Sequence, residues 1–184
     1  MINIISAYCA IPLVPTLSLY QSGIRQYNIQ TPIYANISRI VVIADVHDDL
    51  NRFKNILEDA QIIKDNEWIA EKNTVVVQLG DQIDKKHVDD DDITNKHHFR
   101  VTYYTDYLKK IALQNGCDFI SIIGNHEHMN LEKIQKKDAL KEIISRRPIV
   151  AIINNYIFCH GGFIKQHYDM LKQYRMNIKD LNEV

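Results

Sequence analysis

Four short segments of this sequence carry side chains that commonly bind divalent metal ions. In chain order they are Asp45-Val46-His47, Gly80-Asp81-Gln82-Ile83-Asp84, Gly124-Asn125-His126-Glu127 and His160-Gly161-Gly162. Carboxylate oxygens and imidazole nitrogens suit hard and borderline cations, and a carboxylate such as that of Asp81 can bridge two ions. Two ions roughly 3.5–4 Å apart can activate water and clamp the oxygens of a phosphoryl group. The segments therefore predict a hydrolytic site with two metal ions.

Each segment follows an apolar run rich in β-branched residues, a pattern typical of buried strands. The pattern predicts strands at 39–44, 74–79 and 117–123, a hairpin of 149–153 and 156–159, and helices at 50–63, 99–114 and 129–147. Strands that alternate with helices favour an α/β fold with a mostly parallel sheet and helices on both faces. The four segments would then meet at strand ends, where open α/β sheets bind their ligands.

In this order the segments resemble the motifs of the calcineurin-like metallophosphoesterase superfamily: D-x-H, G-D-x-x-D, G-N-H-D/E and a histidine next to glycines. The resemblance spans roughly residues 39 to 165. The residues of these motifs are most similar to those of the phosphoprotein phosphatases and their Shewanella-like and large-virus relatives. The resemblance implies a layered βα sandwich and an enzyme that hydrolyses phosphate esters with a bridging hydroxide.

The resemblance also implies a role for each site residue. The expected ligands of two divalent ions (manganese, iron or zinc) are Asp45 and His47 on the first ion, Asp81 between the ions, and Asn125 and His160 on the second. His126 would be the general acid. Asp84 would not bind metal but would accept the other ring N–H of His126, which orients the ring.

The family pattern continues with a further histidine ligand, in a G-H motif well after His160. The sequence beyond His160 contains only His167, which we interpret as a surface residue or, alternatively, as that ligand. We expect this chain to hold the N-terminal half to two-thirds of the family fold, with a shortened C-terminal part. Another segment, a partner or water would then complete the second metal site.

Phosphate binding should differ from that of the phosphoprotein phosphatases. Lys85 and Lys86 follow Asp84 where those enzymes have Arg-Gly, and Ile123 stands where many have an arginine. Arginine grips phosphate through a planar fork, whereas lysine is a point charge. Lys85 is the remaining candidate for substrate binding. Asp48 replaces a common glycine, and we expect it to form a turn or to add a functional charge.

Composition sets outer limits. A chain of 184 residues, 46% of them hydrophobic, can form a domain with a sizeable core. A net charge of −1 predicts neither nucleic acid nor membrane as a partner. The cysteines Cys9, Cys117 and Cys159 lack metal-site spacing, which favours reduced thiols and a cytoplasmic protein.

The chain divides into an N-terminal arm or extension, 1–35, and a partial metallophosphoesterase domain, 36–184. The apolar start lacks the basic residues of a signal peptide, and Pro12 and Pro15 interrupt it. We therefore expect a strand or an arm there rather than a membrane span.

The leading hypothesis is a metal-dependent phosphomonoesterase, similar to a protein serine/threonine phosphatase, that acts on a phosphorylated protein or a small phosphate ester. The same site could serve a dinucleoside polyphosphate or a phosphodiester, and the motifs do not decide between these substrates. A degenerate, non-catalytic interaction domain is the third hypothesis.

Overall fold

The secondary structure alternates between strands and helices through most of the chain. In chain order it comprises β1 (Ile2–Ile5), β2 (Ile33–Tyr34), β3 (Arg39–Ile43), α1 (Leu50–Asp59), β4 (Ile63–Lys64), β5 (Glu67–Trp68), β6 (Thr74–Gln78), α2 (Arg100–Gln114), β7 (Asp118–Ser121), α3 (Asn125–Met129), α4 (Asp138–Ser145), β8 (Val150–Ile153), β9 (Tyr156–Cys159) and α5 (Lys165–Gln173). The computed structural model describes residues 2–5, 31–84, 99–130, 134 and 137–173.

Among the described residues, the main sheet contains four parallel strands in the order β1-β3-β6-β7. Valine and isoleucine, which favour strands, make up most of β3 and β6. All five residues of β6 are buried, as expected for a central parallel strand that is covered on both faces. The predicted α/β fold with a mostly parallel sheet is confirmed.

The two faces of the main sheet are covered by different layers. On one face, Val41 of β3 packs with Phe53 of α1 and Leu108 of α2. On the other face, Val42 packs with Ala151 of β8, in a second sheet of order β2-β8-β9. For the part of the chain that the structure describes, the prediction of helices on both faces is therefore wrong, because after α4 the chain enters a hairpin instead of another strand-helix unit.

The predicted hairpin is confirmed, since β8 and β9 pair antiparallel with Ile153 opposite Tyr156. Asn154 makes the turn in the left-handed region, at a φ of 53°. The short β2 runs parallel to β8.

Two predicted helices differ from the observed ones. The helix predicted at 50–63 ends at Asp59, because Gln61 takes a φ of 51° and Ile63 begins a small hairpin. The helix predicted at 129–147 is wrong. Met129 ends α3 with Asn130 as its C-cap, and α4 begins only at Asp138.

Within the ranges given above, none of the helices has the length and apolar character needed to cross a membrane. β1 pairs with β3, so residues 2–5 belong to the main sheet. The boundary at residue 35 stays a prediction.

Candidate metal centre

The loops that carry the four motifs lie at the carboxyl ends of strands. β3, β6 and β7 are parallel, so the segments with Asp45, Asp81 and Asn125 leave the main sheet at the same edge. His160 directly follows β9 of the second sheet. The motifs therefore reach one place from both sheets.

Asp81 lies at the centre of this cluster. Two groups of potential ligand atoms, each lying within 4.8 Å of one another, share Asp81: one adds His47 and His126, and the other adds Asp45 and His160. The Oδ2 atom of Asp81 is 3.5 Å from Nε2 of His160 and 4.0 Å from Nε2 of His126. Asp81 is only 2% exposed, so its charge is held out of bulk water. Asp45 and His47, predicted to share one ion, fall in different groups.

His160 and Asn125 face each other with atoms that suit a cation. Nδ1 of His160 lies 2.6 Å from the carbonyl oxygen of Leu79, which can only accept, so in the neutral ring Nδ1 donates and Nε2 keeps a lone pair. That Nε2 lies 3.0 Å from Oδ1 of Asn125 and faces Asp81 as well. A divalent cation would accept all three lone pairs, so these residues fit a metal ion.

His47 supplies a second sign of a ligand site. Its Nδ1 atom is buried and has no hydrogen-bond partner among the described residues. An unsatisfied buried nitrogen often marks the position of an unseen water or ion. The ring meets that of His126 edge-on, with centroids 4.7 Å apart. His47, Asp81 and Asp84 all have positive φ angles (44°, 52° and 61°), a strained conformation that clusters at functional sites.

His126 is held by two aspartates. Its Nδ1 atom lies 3.0 Å from Oδ2 of Asp84, and its backbone N–H donates to Oδ1 of Asp81 over 2.8 Å. Asp84 is in neither ligand group found among the described residues. The Nε2 atom of His126 is left facing Asp81 and the metal centre.

Glu127 fixes the two loops to each other. Its fully buried carboxylate accepts three backbone N–H bonds of 2.8–2.9 Å, from Asp81, Gln82 and Gly124. These bonds make Glu127 a support of both loops. The loops also touch: a Cβ atom on Gly80, whose φ is 98°, would lie 2.5 Å from the backbone nitrogen of Gly124. Glycine is required for this approach.

Asp48 has a structural role. It is completely buried, and its Oδ1 accepts the backbone N–H of Val101 over 2.9 Å at the first turn of α2. Its Oδ2 lies 3.6 Å from Nε of Arg100. Burial raises the pKa of the Asp48 carboxyl, although the bond from Val101 and the charge of Arg100 oppose the shift. Asp48 thus caps a distant helix and ties the first motif loop to it.

Two further sequence predictions have different outcomes. His167 is 9% exposed, packs on Phe163 and accepts a 3.4 Å bond from the backbone of Ile164, so the interpretation as a surface histidine is wrong. His167 belongs to neither ligand group among the described residues. Lys85, the predicted substrate contact, lies outside the described residues.

The sequence reasoning missed Asn130. This residue is 7% exposed, and its side-chain NH₂ group donates to Oδ2 of Asp84. An asparagine that ends a helix is a known C-cap signal, and it would have divided the predicted helix 129–147 at this point.

The fold and this cluster of acidic, imidazole and amide groups are those of an α/β metalloprotein. The chain belongs to the calcineurin-like phosphoesterase family, whose model matches residues 38–183. Proteins of this family use divalent metal ions, in agreement with the donor set described above.

Curated relatives match part of their length. Shewanella-like protein phosphatase 2 of Arabidopsis thaliana is 30% identical over 94 residues, which cover 51% of this chain and 22% of that protein. Shewanella-like protein phosphatase 1 of Plasmodium berghei (strain Anka) is 29% identical over 159 residues, 70% of this chain and 41% of that protein. The chain therefore spans less than half the length of these relatives.

Solved structures share the fold. A mutant cold-active protein tyrosine phosphatase superposes with a TM-score of 0.64 at 21% identity, over 84% of this chain and 50% of that chain. The cold-active protein-tyrosine phosphatase of the psychrophile Shewanella sp. gives 0.62 at 20% identity, over 86% and 52%. At identities of 20% and 21%, the similarity to these structures shows a shared fold alone.

Proposed function

We propose that this protein is a metal-dependent phosphomonoesterase that acts on phosphorylated proteins or small phosphate esters. The observation that carries the proposal is the position of the buried Asp81 in two groups of ligand atoms, next to a histidine that is backed by a second aspartate. The names of the Shewanella-like relatives support the phosphoprotein class of substrate.

The proposed ligands of two divalent ions present oxygen and nitrogen lone pairs to the candidate centre: Asp45, His47, Asp81, Asn125 and His160. When bound, the ions would supply Lewis-acid activation of the phosphoryl oxygens and would make water more acidic. Manganese, iron and zinc all suit this mixture of oxygen and nitrogen ligands.

His126 is the proposed general acid. Asp84 accepts a hydrogen bond from the Nδ1–H group, so Nε2 is the ring atom that can give a proton to the leaving oxygen of the substrate. The His126 backbone N–H also binds Asp81, which fixes the ring relative to the ligand groups. Lys85, adjacent to Asp84 in the sequence, is the proposed contact for the substrate phosphate.

Two variants test this mechanism. We expect His126→Asn to lower turnover by about 10²–10⁴-fold, the usual contribution of a general acid, while metal content stays near the wild-type value. Asp81→Asn should lower turnover and metal content together, because the ions would lose their shared carboxylate. Metal analysis and turnover are measured on the same preparations.

The substrate panel contains a phosphopeptide, an aryl phosphate, a phosphodiester and a dinucleoside tetraphosphate, each with manganese, iron or zinc and with a chelator. Turnover of the monoesters that the chelator abolishes supports the proposal. Faster turnover of the diester or the dinucleotide would replace the proposed substrate class. A wild-type protein with tightly held metal and no turnover on any substrate would refute the proposed activity.

A further inference from the structure

Asn130 joins two motifs: the loop that carries Asp84, and the short helix that carries His126, the proposed general acid. Its backbone forms the C-cap of α3, the short helix that carries Asn125 and His126. Its side-chain nitrogen Nδ2 donates to the carbonyl oxygen of His126 over 3.0 Å and also to Oδ2 of Asp84, 46 residues earlier in the chain.

The orientation of this amide is determined by its partners. A carbonyl oxygen and a carboxylate oxygen both accept, so only the NH₂ end of the amide can satisfy them. The two protons of that group are then used, one on each loop. Asn130 is 7% exposed, so loss of either bond would leave a polar group without water to replace its partner.

The same carboxylate oxygen serves His126. Oδ2 of Asp84 lies 3.0 Å from Nδ1 of His126 and also accepts from Asn130. The Asp84 side chain is 33% exposed, and the bond from Asn130 adds to what holds its carboxylate. A donor that fixes this oxygen keeps it directed at the ring and keeps Nδ1 in the role of donor.

We infer that Asn130 is a positioning residue for the Asp84–His126 pair. The inference rests on the proposed function, in which the oxygen of a hydroxide ion forms a bond to phosphorus while the bond between phosphorus and the leaving oxygen breaks, and Nε2 of His126 gives its proton to that leaving oxygen. The electron pair of the broken bond stays on the leaving oxygen, and the proton from Nε2 neutralises it. The Nδ1 proton stays on the ring and remains hydrogen-bonded to Asp84. Asn130 touches neither substrate nor metal in this scheme, and it acts through Asp84.

The kinetic test uses leaving groups of different basicity. A poor leaving group such as phenoxide needs the proton, whereas para-nitrophenoxide leaves readily without it. Because positioning accounts for part of the roughly 10²–10⁴-fold effect of a general acid, we expect Asn130→Ala to lower kcat by about 10-fold or more on phenyl phosphate and by less than about 3-fold on para-nitrophenyl phosphate. KM should change little for either substrate. Misfolding would instead reduce both rates equally.

The isosteric variant Asn130→Asp protects the test against a folding failure. It keeps the size of the side chain but puts a carboxylate oxygen against Asp84, so it should show the same dependence on the leaving group. Asn115→Ala is the matched control. Asn115 caps α2 with a similar bond, from Nδ2 to the carbonyl oxygen of Ile111 at 2.9 Å, away from the metal centre. Its kinetics should match the wild type.

A second measurement does not depend on turnover. In the zinc-loaded chain, long-range nitrogen–proton NMR at one fixed pH reports whether Nδ1 of His126 carries a proton, with the signal assigned by its loss in His126→Asn. We expect Nδ1 to be protonated in the wild type and a mixed population in Asn130→Ala. An equal loss of rate on both substrates, or an unchanged ring in Asn130→Ala, would overturn the inference for Asn130. If the wild type shows no turnover but Nδ1 of His126 is protonated as expected, the proposed function is refuted and the positioning role of Asn130 is retained.

Discussion

At the scale of single residues, the centre is built from backbone conformations that most side chains avoid. His47, Asp81 and Asp84 sit in the left-handed region, which costs on the order of 1–3 kcal/mol for each such residue. Three backbone bonds to the buried Glu127 help to maintain the second and third motif loops. These buried hydrogen bonds hold the strained backbone, so the potential ligands are in place before any ion binds.

Gly124→Ala tests how close the loops are. Gly124 has a φ of −103°, which alanine accepts, so the effect is purely steric: the new Cβ atom would overlap Asp81. We expect overpacking to cost about 1–3 kcal/mol of unfolding free energy and to displace the Asp81 carboxylate. Equilibrium dialysis should then show weaker metal binding. Gly116→Ala is the control for metal binding. Its φ of 68° strains an alanine and lowers stability, but the atom nearest to a Cβ there is on the Lys72 side chain, 3.7 Å away and outside the motifs. Equal metal binding by both variants would contradict the prediction.

At the scale of elements, Asp118 at the start of β7 joins three layers. Its carboxylate accepts from the hydroxyl of Tyr34 in β2 and from Nζ of Lys109 in α2, the latter over 2.6 Å. The second sheet, the main sheet and the helical layer therefore meet at one buried charge. Burial and the bond to Asp118 raise the pKa of the Tyr34 phenol.

Tyr34→Phe tests this junction. Hydrogen bonds to charged groups contribute about 1.5–3 kcal/mol, so the variant should be less stable by that amount at neutral pH. The folded phenol keeps its proton above its unfolded pKa of about 10, so the wild-type contribution is complete below pH 10 and declines as pH rises beyond it. Urea unfolding at neutral and alkaline pH measures both effects. Tyr156→Phe, at a half-exposed tyrosine of β9, is the control. A stability difference that grows with alkaline pH would have the wrong sign.

At the scale of the whole molecule, the candidate centre connects the two sheets. Asp45, Asp81 and Asn125 follow strands of the main sheet, whereas His160 follows β9 of the second sheet. An ion bound to ligands from both sheets would hold the two sheets together. It would bind the folded state and not the unfolded state, so it would raise the free energy of unfolding.

Metal addition should therefore raise the unfolding temperature. A ligand at about 100 times its Kd adds about 2.7 kcal/mol to the free energy of unfolding. Differential scanning fluorimetry with manganese or zinc, followed by chelator, measures the shift and its reversal. Asp81→Asn should show a much smaller shift. If neither ion moves the wild-type transition at any concentration that leaves the protein soluble, this chain alone does not form the centre.

The sequence alone determined the class of fold, and it predicted Asp45, His47, Asp81, Asn125 and His160 as ligands of one centre. Buried β-branched runs mark the strands without reference to the rest of the chain, and short motifs at their ends specify chemistry that needs fixed residue types. The hairpin at Asn154 was likewise local, because an asparagine in a turn between alternating runs specifies its own geometry.

Only the tertiary structure decided contacts between residues far apart in sequence. Asp48 caps a helix 53 residues later, and Asn130 meets Asp84 across 46 residues. No local pattern encodes such pairs, because each depends on where two separate elements come to lie. The same reason explains why the described residues on the second face of the main sheet form strands.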